Sequence, residues 1–147
     1  MMTKNKKVDL FNFFKIKKNN IPVFLDKVSA GFPSPASDYI ENKLNLNEYL
    51  IKNPPATFIV KAQGLSMIEA NIKPNDLLIV DRSLTPINNH IVIASIFGDL
   101  TVKKLKKRSN ITFLVSANTN YPSIQIKEEM DCFIWGVVTF IIHDAKI

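Results

Sequence analysis

Residues 58–81, FIVKAQGLSMIEANIKPNDLLIVD, contain two apolar runs separated by a more polar connection. The runs Thr57–Ala62 and Leu77–Asp81 are rich in β-branched and large apolar side chains, which favour strands. The connection carries GLSM at residues 64–67 and KPND at residues 73–76, with the glycine, proline and asparagine that mark turns. The stretch therefore predicts two strands with a serine presented between them.

The pattern of short apolar runs continues towards the C-terminus. Further strands are predicted at Ile91–Ile96, Leu100–Leu105, Ile111–Val115 and Phe133–Ile142, each bounded by turn residues. Many short strands without a long helical period are typical of a sandwich or a barrel-like body. We therefore expect a mainly β fold, with a compact β-rich domain over residues 56–147.

The segment before this domain has a different composition. Residues 1–30 are expected to form an extended N-terminal arm. Residues 1–20 are rich in lysine and could be a helix, a strand or a loose segment, and residues 21–29 have the composition of an extended strand. Residues 31–55 are expected to be a hinge followed by short helical turns. The hinge begins in AGFPSPAS, residues 30–37, whose prolines and glycine break regular structure. Residues 38–51 start with an aspartate cap signal and predict one or two helical turns, ended by the next pair of prolines.

The composition limits the class of protein. Apolar residues make up 46% of the 147 residues and charged residues 22%, which is ordinary for a globular protein and excludes a disordered or fibrous chain. No run reaches the roughly 18 apolar residues of a membrane span, and the N-terminus does not resemble a secretory signal. One cysteine, Cys132, cannot form an internal disulfide, so a cytoplasmic location is expected. No metal site or cofactor is predicted, because no cluster of histidine, cysteine and carboxylate has ligand spacing.

The formal charge of +6 permits a nucleic-acid partner without requiring one. Nearly all of the positive charge is lysine, and the arginines are limited to Arg82 and Arg108. Arginine is the usual reader of guanine edges, so sequence-specific DNA binding is not expected.

Ser66 lies where a strand runs into a turn, so its hydroxyl and nearby backbone N–H groups could meet a substrate carbonyl. A serine becomes a nucleophile only when a base takes its proton. Neither histidine is well placed for that role, since His90 falls in a turn and His143 lies near the C-terminus beside Asp144. The alternative is structural, because a serine after a glycine commonly caps a helix or closes a turn.

A lysine is the other candidate base. In the predicted strand TVKKL, residues 101–105, alternation puts Lys103 and Lys104 on opposite faces. One of them can be solvated while the other enters the protein, where desolvation lowers its pKa and leaves an amine able to accept a proton. The alternative is a basic hairpin face over Lys103–Arg108, made of solvated charges or phosphate-binding groups.

The chain resembles the UmuD-type proteins of the LexA-like self-cleaving serine peptidase family in four segments, which occur in the expected order: VSAGFPSPASDYIE, FIVKAQGLSMIEANIKPNDLLIVD, HIVIASIFGDLTVKKL and FIWGVV. The resemblance runs from about Ile21 to the C-terminus. It implies that Ser66, in Gly-x-Ser-Met, is the nucleophile of a Ser–Lys dyad and that Lys103 is its general base. It also implies a scissile bond between Ala30 and Gly31.

The same resemblance implies a biological role. The arm would be cut off in response to the RecA–single-stranded-DNA filament during the SOS response. The trimmed homodimer would then assist an error-prone Y-family translesion polymerase of the UmuC type. Leu65 stands where the family usually carries an acidic or polar residue, which predicts altered packing beside Ser66 and not a loss of activity.

Other functions are compatible with parts of the sequence. A LexA-like transcription repressor fragment is disfavoured, because nothing upstream of residue 30 is expected to fold as a DNA-reading domain. A non-enzymatic basic β module could bind a polymerase or single-stranded DNA and leave the dyad unused. A signal-peptidase-like enzyme is disfavoured, since no membrane anchor is predicted.

Overall fold

The computed structural model describes residues 21–24, 30–31 and 40–146. The chain divides into two compact units, residues 1–49 and 50–147. The lysine-rich segment 1–20, most of the proline-rich hinge and the expected aspartate cap lie outside the described residues. The predicted domain boundaries after residues 30 and 55 stay predictions.

The N-terminal unit contains a strand pair, and the second of its strands lies where the sequence predicted helical turns. Strand β1 (Ile21–Phe24) pairs antiparallel with β2 (Ile40–Leu44), and Ile21 lies opposite Leu44. The prediction of helical turns over residues 38–51 is therefore wrong for the residues of β2. Pairing between segments of the chain outweighs local propensity here, because a strand is stabilised by a partner distant in sequence.

The helical part is confined to a short helix, α1 (Leu46–Leu50). It begins after Asn45, whose side-chain Oδ1 accepts hydrogen bonds from the backbone N–H groups of Asn47 at 3.1 Å and Glu48 at 3.4 Å. Asparagine is a favoured cap because its oxygen satisfies amides that have no partner within the helix. The helix ends before the two prolines, which instead open a 3₁₀ turn at Pro54–Ala56.

The second unit is built on a seven-stranded antiparallel sheet with the order β3-β4-β9-β5-β6-β7-β8. Its strands are β3 (Thr57–Lys61), β4 (Leu77–Asp81), β5 (Ile91–Ile96), β6 (Asp99–Arg108), β7 (Ile111–Val115), β8 (Ile124–Gln125) and β9 (Cys132–Ile142). The prediction of a mainly β fold is confirmed. The short strand β8 was not predicted, because two residues are too few to show a period.

Strand β9 comes last in the sequence but lies between β4 and β5 in the sheet. Gly136 permits this close arrangement, since a Cβ atom there would lie 2.7 Å from Cγ1 of Val80 and 3.1 Å from the carbonyl oxygen of Asp81. The pairing of β9 shifts register beside β4, between Ile79 and Val80, and again beside β5. Such irregularities bend and twist strands, which helps a sheet to curl.

Apolar side chains are buried on both faces of the central strands. Because successive side chains of a strand point to opposite faces, Val92 and Ala94 of β5 belong to one cluster and Ile93 to another. The first cluster also contains Leu105, Leu114 and Val137, and the second contains Met67, Leu78 and Val80. Both clusters matter for the site, since Met67 follows Ser66 and Leu105 lies two residues after Lys103.

The helices of the described segments are short. None of those in residues 40–146 is long and apolar enough to cross a membrane.

Candidate active site

Ser66 is presented by a tight turn that follows β3. Gly64 has φ +79°, a left-handed conformation that side chains other than glycine rarely adopt, and it redirects the chain after the strand. The Ile68 amide then donates to the Leu65 carbonyl at 3.2 Å, and a 3₁₀ turn follows at Ile68–Ala70. The turn leaves the Ser66 side chain partly exposed.

Both neighbours of Ser66 are held by the chain that follows β7. Met67 is 3% exposed in the core, and its sulfur accepts a hydrogen bond from the Ala117 amide at 3.3 Å. On the other side, the Asn118 side-chain Nδ2 donates to the Leu65 carbonyl at 2.9 Å. These contacts fix the backbone on each side of the hydroxyl. Leu65 contributes its carbonyl oxygen to this arrangement, while its side chain is 52% exposed.

Lys103 enters the protein from β6. It is 8% exposed, whereas Lys104 is only partly buried, so the predicted alternation of the two lysines is observed. Its register partner on β5 is the fully buried Val92, and Leu105 lies two residues further along the same face. Desolvation by burial lowers the pKa of Lys103 from its ordinary value. A larger fraction of the side chain is therefore the neutral amine near neutral pH than for a solvated lysine.

The structure brings these two residues together. Lys103 Nζ lies 3.5 Å from Ser66 Oγ, in a hydrogen bond between residues 37 positions apart in the sequence. A neutral amine at this position can accept the hydroxyl proton and so activate the serine. Catalytic hydrogen bonds are commonly long in proteins without substrate and shorten in the reacting complex.

A cleft of about 360 Å³ opens beside the serine. Its lining includes Ala62, Gln63 and Gly64, which follow β3, and Leu100 and Val102 of β6. Strand β3 is an edge strand, paired on one side only by β4. An edge strand offers unpaired backbone groups to an extended peptide, so the cleft is suited to a segment of polypeptide.

The predicted scissile residues lie in the other compact unit. Ala30 and Gly31 are both exposed and form a bend. A side chain built at Gly31 would meet no atom within 4 Å. The peptide bond between them is thus accessible and is flanked by small residues, which allow a nucleophile to approach the backbone.

The histidines have other partners. His143 Nδ1 lies 2.7 Å from Asp76 Oδ1, and His90 Nδ1 accepts a hydrogen bond from the Ile87 amide at 3.3 Å. The pair between Asp76 and His143 was not predicted from the sequence. It depends on the pairing of β4 with β9, which places Leu77 opposite Ile142 and so brings the flanking residues together.

We expect Asp76 to contribute stability that is lost in acid. Burial would raise its pKa, but a hydrogen bond from the Lys73 amide and the contact with His143 hold the pKa below its ordinary value. A carboxylate with a lowered folded-state pKa stabilises the fold above its unfolded pKa of about 3.9, and the effect disappears as pH falls through the folded value. In urea unfolding, Asp76→Asn should be less stable than the parent at pH 7, and the difference should shrink below about pH 4.

The control for this measurement is Asp99→Asn, which changes an exposed carboxylate at the start of β6. It should unfold like the parent at both pH values. An Asp76→Asn deficit that stays constant between pH 7 and pH 3 would show that packing, and not the charged carboxylate, is responsible.

Comparison with known proteins relates the site to a family. A family model described as Peptidase S24-like matches residues 22–139, which include both Ser66 and Lys103. Protein SamA of Salmonella typhimurium is 43% identical over 129 residues, covering 88% of this chain and 89% of SamA. Protein MucA of Escherichia coli is 41% identical over 135 residues, covering 90% and 92%. The LexA repressor of Sodalis glossinidius is 30% identical over 131 residues, covering 88% of this chain and 64% of the repressor.

Proposed function

This chain belongs to the Peptidase S24-like family, and we propose that it is a self-cleaving serine peptidase that cuts its own backbone between Ala30 and Gly31. Ser66 is the nucleophile and Lys103 is the general base. The resemblance to UmuD-type proteins agrees with the similarity to SamA and MucA over most of their lengths.

One observation carries the proposal: the Lys103 amine is buried and lies 3.5 Å from the Ser66 hydroxyl. A lysine is ordinarily exposed, because removing its charge from water is unfavourable. No carboxylate among the described residues forms an ion pair with Lys103. Burial without a counter-charge favours the neutral amine, which is the form that a general base needs.

The proposed reaction follows from these two groups. Neutral Lys103 takes the hydroxyl proton as Ser66 Oγ attacks the Ala30 carbonyl carbon. The resulting ammonium protonates the Gly31 nitrogen as the peptide bond breaks, which leaves an ester between Ser66 and Ala30. Lys103, neutral again, then takes a proton from water, which attacks the ester and restores the serine.

The charge that develops on the Ala30 oxygen needs hydrogen-bond donors. Within the described part of the chain the Ser66 amide donates no hydrogen bond, so it remains available for that oxygen. The turn around it is fixed through Met67 and Asn118, which keeps this donor in place before reaction. Preorganised backbone donors of this kind stabilise the transition state without rearrangement during the reaction.

The trigger and the partners are proposed from the family resemblance. Cleavage takes place in the cytoplasm on contact with the RecA–single-stranded-DNA filament of the SOS response. The product, residues 31–147, acts as a homodimer and as an accessory subunit of an UmuC-like error-prone polymerase. The similarity to SamA and MucA over about nine-tenths of the chain supports this assignment.

The proposal predicts a defined cut. Purified chain incubated with RecA, an ATP analogue and single-stranded DNA should give two products, whose intact masses correspond to residues 1–30 and 31–147. Ser66→Ala should remain whole, because the attacking oxygen is absent. The matched control is Ser123→Ala, which removes an exposed hydroxyl elsewhere on the second unit and should cleave at the parental rate.

Two outcomes would contradict the proposal. An intact parent chain after incubation with an active filament would argue for a non-enzymatic β module. Cleavage of Ser66→Ala at the same bond would show that another group is the nucleophile or that a contaminating peptidase is responsible.

A further inference from the structure

Ser116 carries a buried hydroxyl that the proposed mechanism does not use. The residue is 8% exposed, and its Oγ has no hydrogen-bond partner among the described residues. Buried hydroxyls are usually hydrogen-bonded, because removing an unpaired polar group from water is unfavourable. An unpaired one beside a candidate active site therefore requires an explanation.

The register of β6 and β7 locates Ser116 next to Lys103. Lys104 pairs with Val115, and Leu105 pairs with Leu114. Continuing this register by one residue places Ser116 opposite Lys103. Residues that are directly opposite each other in an antiparallel pair have side chains on the same face, with Cβ atoms about 4.5–5.5 Å apart.

The pattern of burial along the two strands also places Lys103 and Ser116 on the same face of the sheet. Lys103, Leu105, Leu114 and Ser116 are all buried, whereas Lys104 and Val115, which alternate with them, are only partly buried. The lysine and serine thus continue the apolar cross-strand pair of Leu105 and Leu114. Among these four inward side chains, Ser116 is the one that can accept a hydrogen bond from an amine.

Ser116 is also connected to the turn that presents the nucleophile. The next residue, Ala117, donates from its amide to the Met67 sulfur and accepts from the Glu69 amide at 2.8 Å. The backbone that carries Ser116 therefore runs from the strand beside Lys103 directly to the segment that holds Ser66.

We propose that Ser116 is a positioning residue for the general base: its hydroxyl, which is unpaired in this structure, turns to accept a hydrogen bond from the Lys103 amino group and keeps that group directed at Ser66. This inference rests on the proposed function and deepens it. A lysine side chain has four flexible carbon–carbon bonds, so a second polar contact restricts the directions that its amine can take.

Other titratable groups around Lys103 do not take this role. On β5 its partner is Val92, which is apolar. On the serine turn the nearest acid in sequence is Glu69, whose Oε1 accepts a hydrogen bond from the Thr119 amide at 3.4 Å. A hydroxyl that accepts from lysine stabilises the ammonium more than the amine, so removing it should lower the pKa of Lys103 further.

The test is the pH dependence of self-cleavage, measured without the filament for the parent, Ser116→Ala and Ser116→Thr. The parental rate should rise with pH to a plateau as Lys103 becomes neutral. For Ser116→Ala we expect a plateau roughly 10-fold lower, because the amine is less well directed, and a midpoint lower by roughly 0.5–1 pH unit. Ser116→Thr keeps the hydroxyl and should restore the parental midpoint. Ser95→Ala removes another buried serine from the same sheet and should leave both values unchanged.

The midpoint separates positioning from packing by its direction. A loosened fold would admit water to Lys103 and raise its pKa, whereas loss of the hydroxyl should lower it. An unchanged midpoint in Ser116→Ala would overturn the inference even if the plateau falls. The Lys103 titration can also be followed by NMR in chains that carry Ser66→Ala and cannot cleave. If Ser116→Ala shifts the Lys103 titration but the parent chain never cleaves itself, the contact is supported and the proposed function is rejected. A titration that does not move would reject the contact alone.

Discussion

Replacing Lys103 with methionine is expected to abolish self-cleavage and, at the same time, to make the folded protein more stable. Without a base the serine keeps its proton, so the rate should fall by at least roughly 10³-fold. Methionine has a similar length and no charge, and it would lie beside Val92 and Leu105 in an apolar environment. We expect a gain in the free energy of unfolding on the order of 1 kcal/mol at neutral pH.

The stability gain should depend on pH in a way that identifies its cause. Because the folded-state pKa of Lys103 is lowered, the unfolded chain binds more protons between the two pKa values, and parental stability rises with pH over that interval. The advantage of Lys103→Met should therefore be largest at neutral pH and should decrease towards about pH 10, where the unfolded lysine also becomes neutral.

Urea unfolding of chains that also carry Ser66→Ala would measure this without interference from cleavage. Lys104→Met is the matched control, since it changes the neighbouring lysine on the opposite face, and it should neither stop cleavage nor show this pH-dependent gain. A Lys103→Met chain that still cuts itself would remove the lysine from the mechanism. A chain that is less stable than its parent at pH 7 would show that the amine is not an unfavourable buried group.

Leu78→Ala is expected to have the largest effect on stability. Leu78 is fully buried on β4, in the cluster that also holds Met67 and Ile93. Truncating a buried leucine removes apolar contacts and leaves a cavity, which costs about 2–5 kcal/mol. Since Met67 anchors the serine turn, self-cleavage should also slow at temperatures where the variant is still folded.

The comparison variant is Leu84→Ala, at a leucine that is 41% exposed. Its free energy of unfolding, taken from urea curves with equal m-values, should change by less than about 1 kcal/mol. Equal losses in the two variants would mean that the β4 cluster is not the main core of the sheet.

The local sequence predicted a strand correctly where the strand itself shows an alternating or continuous apolar pattern. Strands β4 and β5 have the predicted bounds, because each is a compact run of buried apolar residues between clear turns. Strand β2 was missed because its sequence, IENKL, has little strand character and depends on pairing with β1. Pairing between distant segments is not encoded in local composition, so this kind of error is expected.

The candidate site was likewise predicted from local sequence only in part. Alternation in β6 predicted that one lysine of the pair enters the protein, and the glycine before Ser66 indicated a turn. The contact between Ser66 and Lys103, which are 37 residues apart, could not be derived from either pattern. It was expected only from the family resemblance. The contact between Asp76 and His143 depends on the register of β4 and β9, and the inferred position of Ser116 opposite Lys103 depends on that of β6 and β7. Such registers become known only when the sheet is assembled.

The position of β9 has a consequence for the order in which the dyad can assemble during folding. In the sheet, β9 joins the β3–β4 pair, which leads to Ser66, to the β5–β8 group, which carries Lys103. Among the strands of the described residues, β9 also follows all the others in sequence. Until β9 has paired with both β4 and β5, no continuous sheet joins the two residues. We therefore expect Ser66 and Lys103 to meet only late in folding, after β9 has docked.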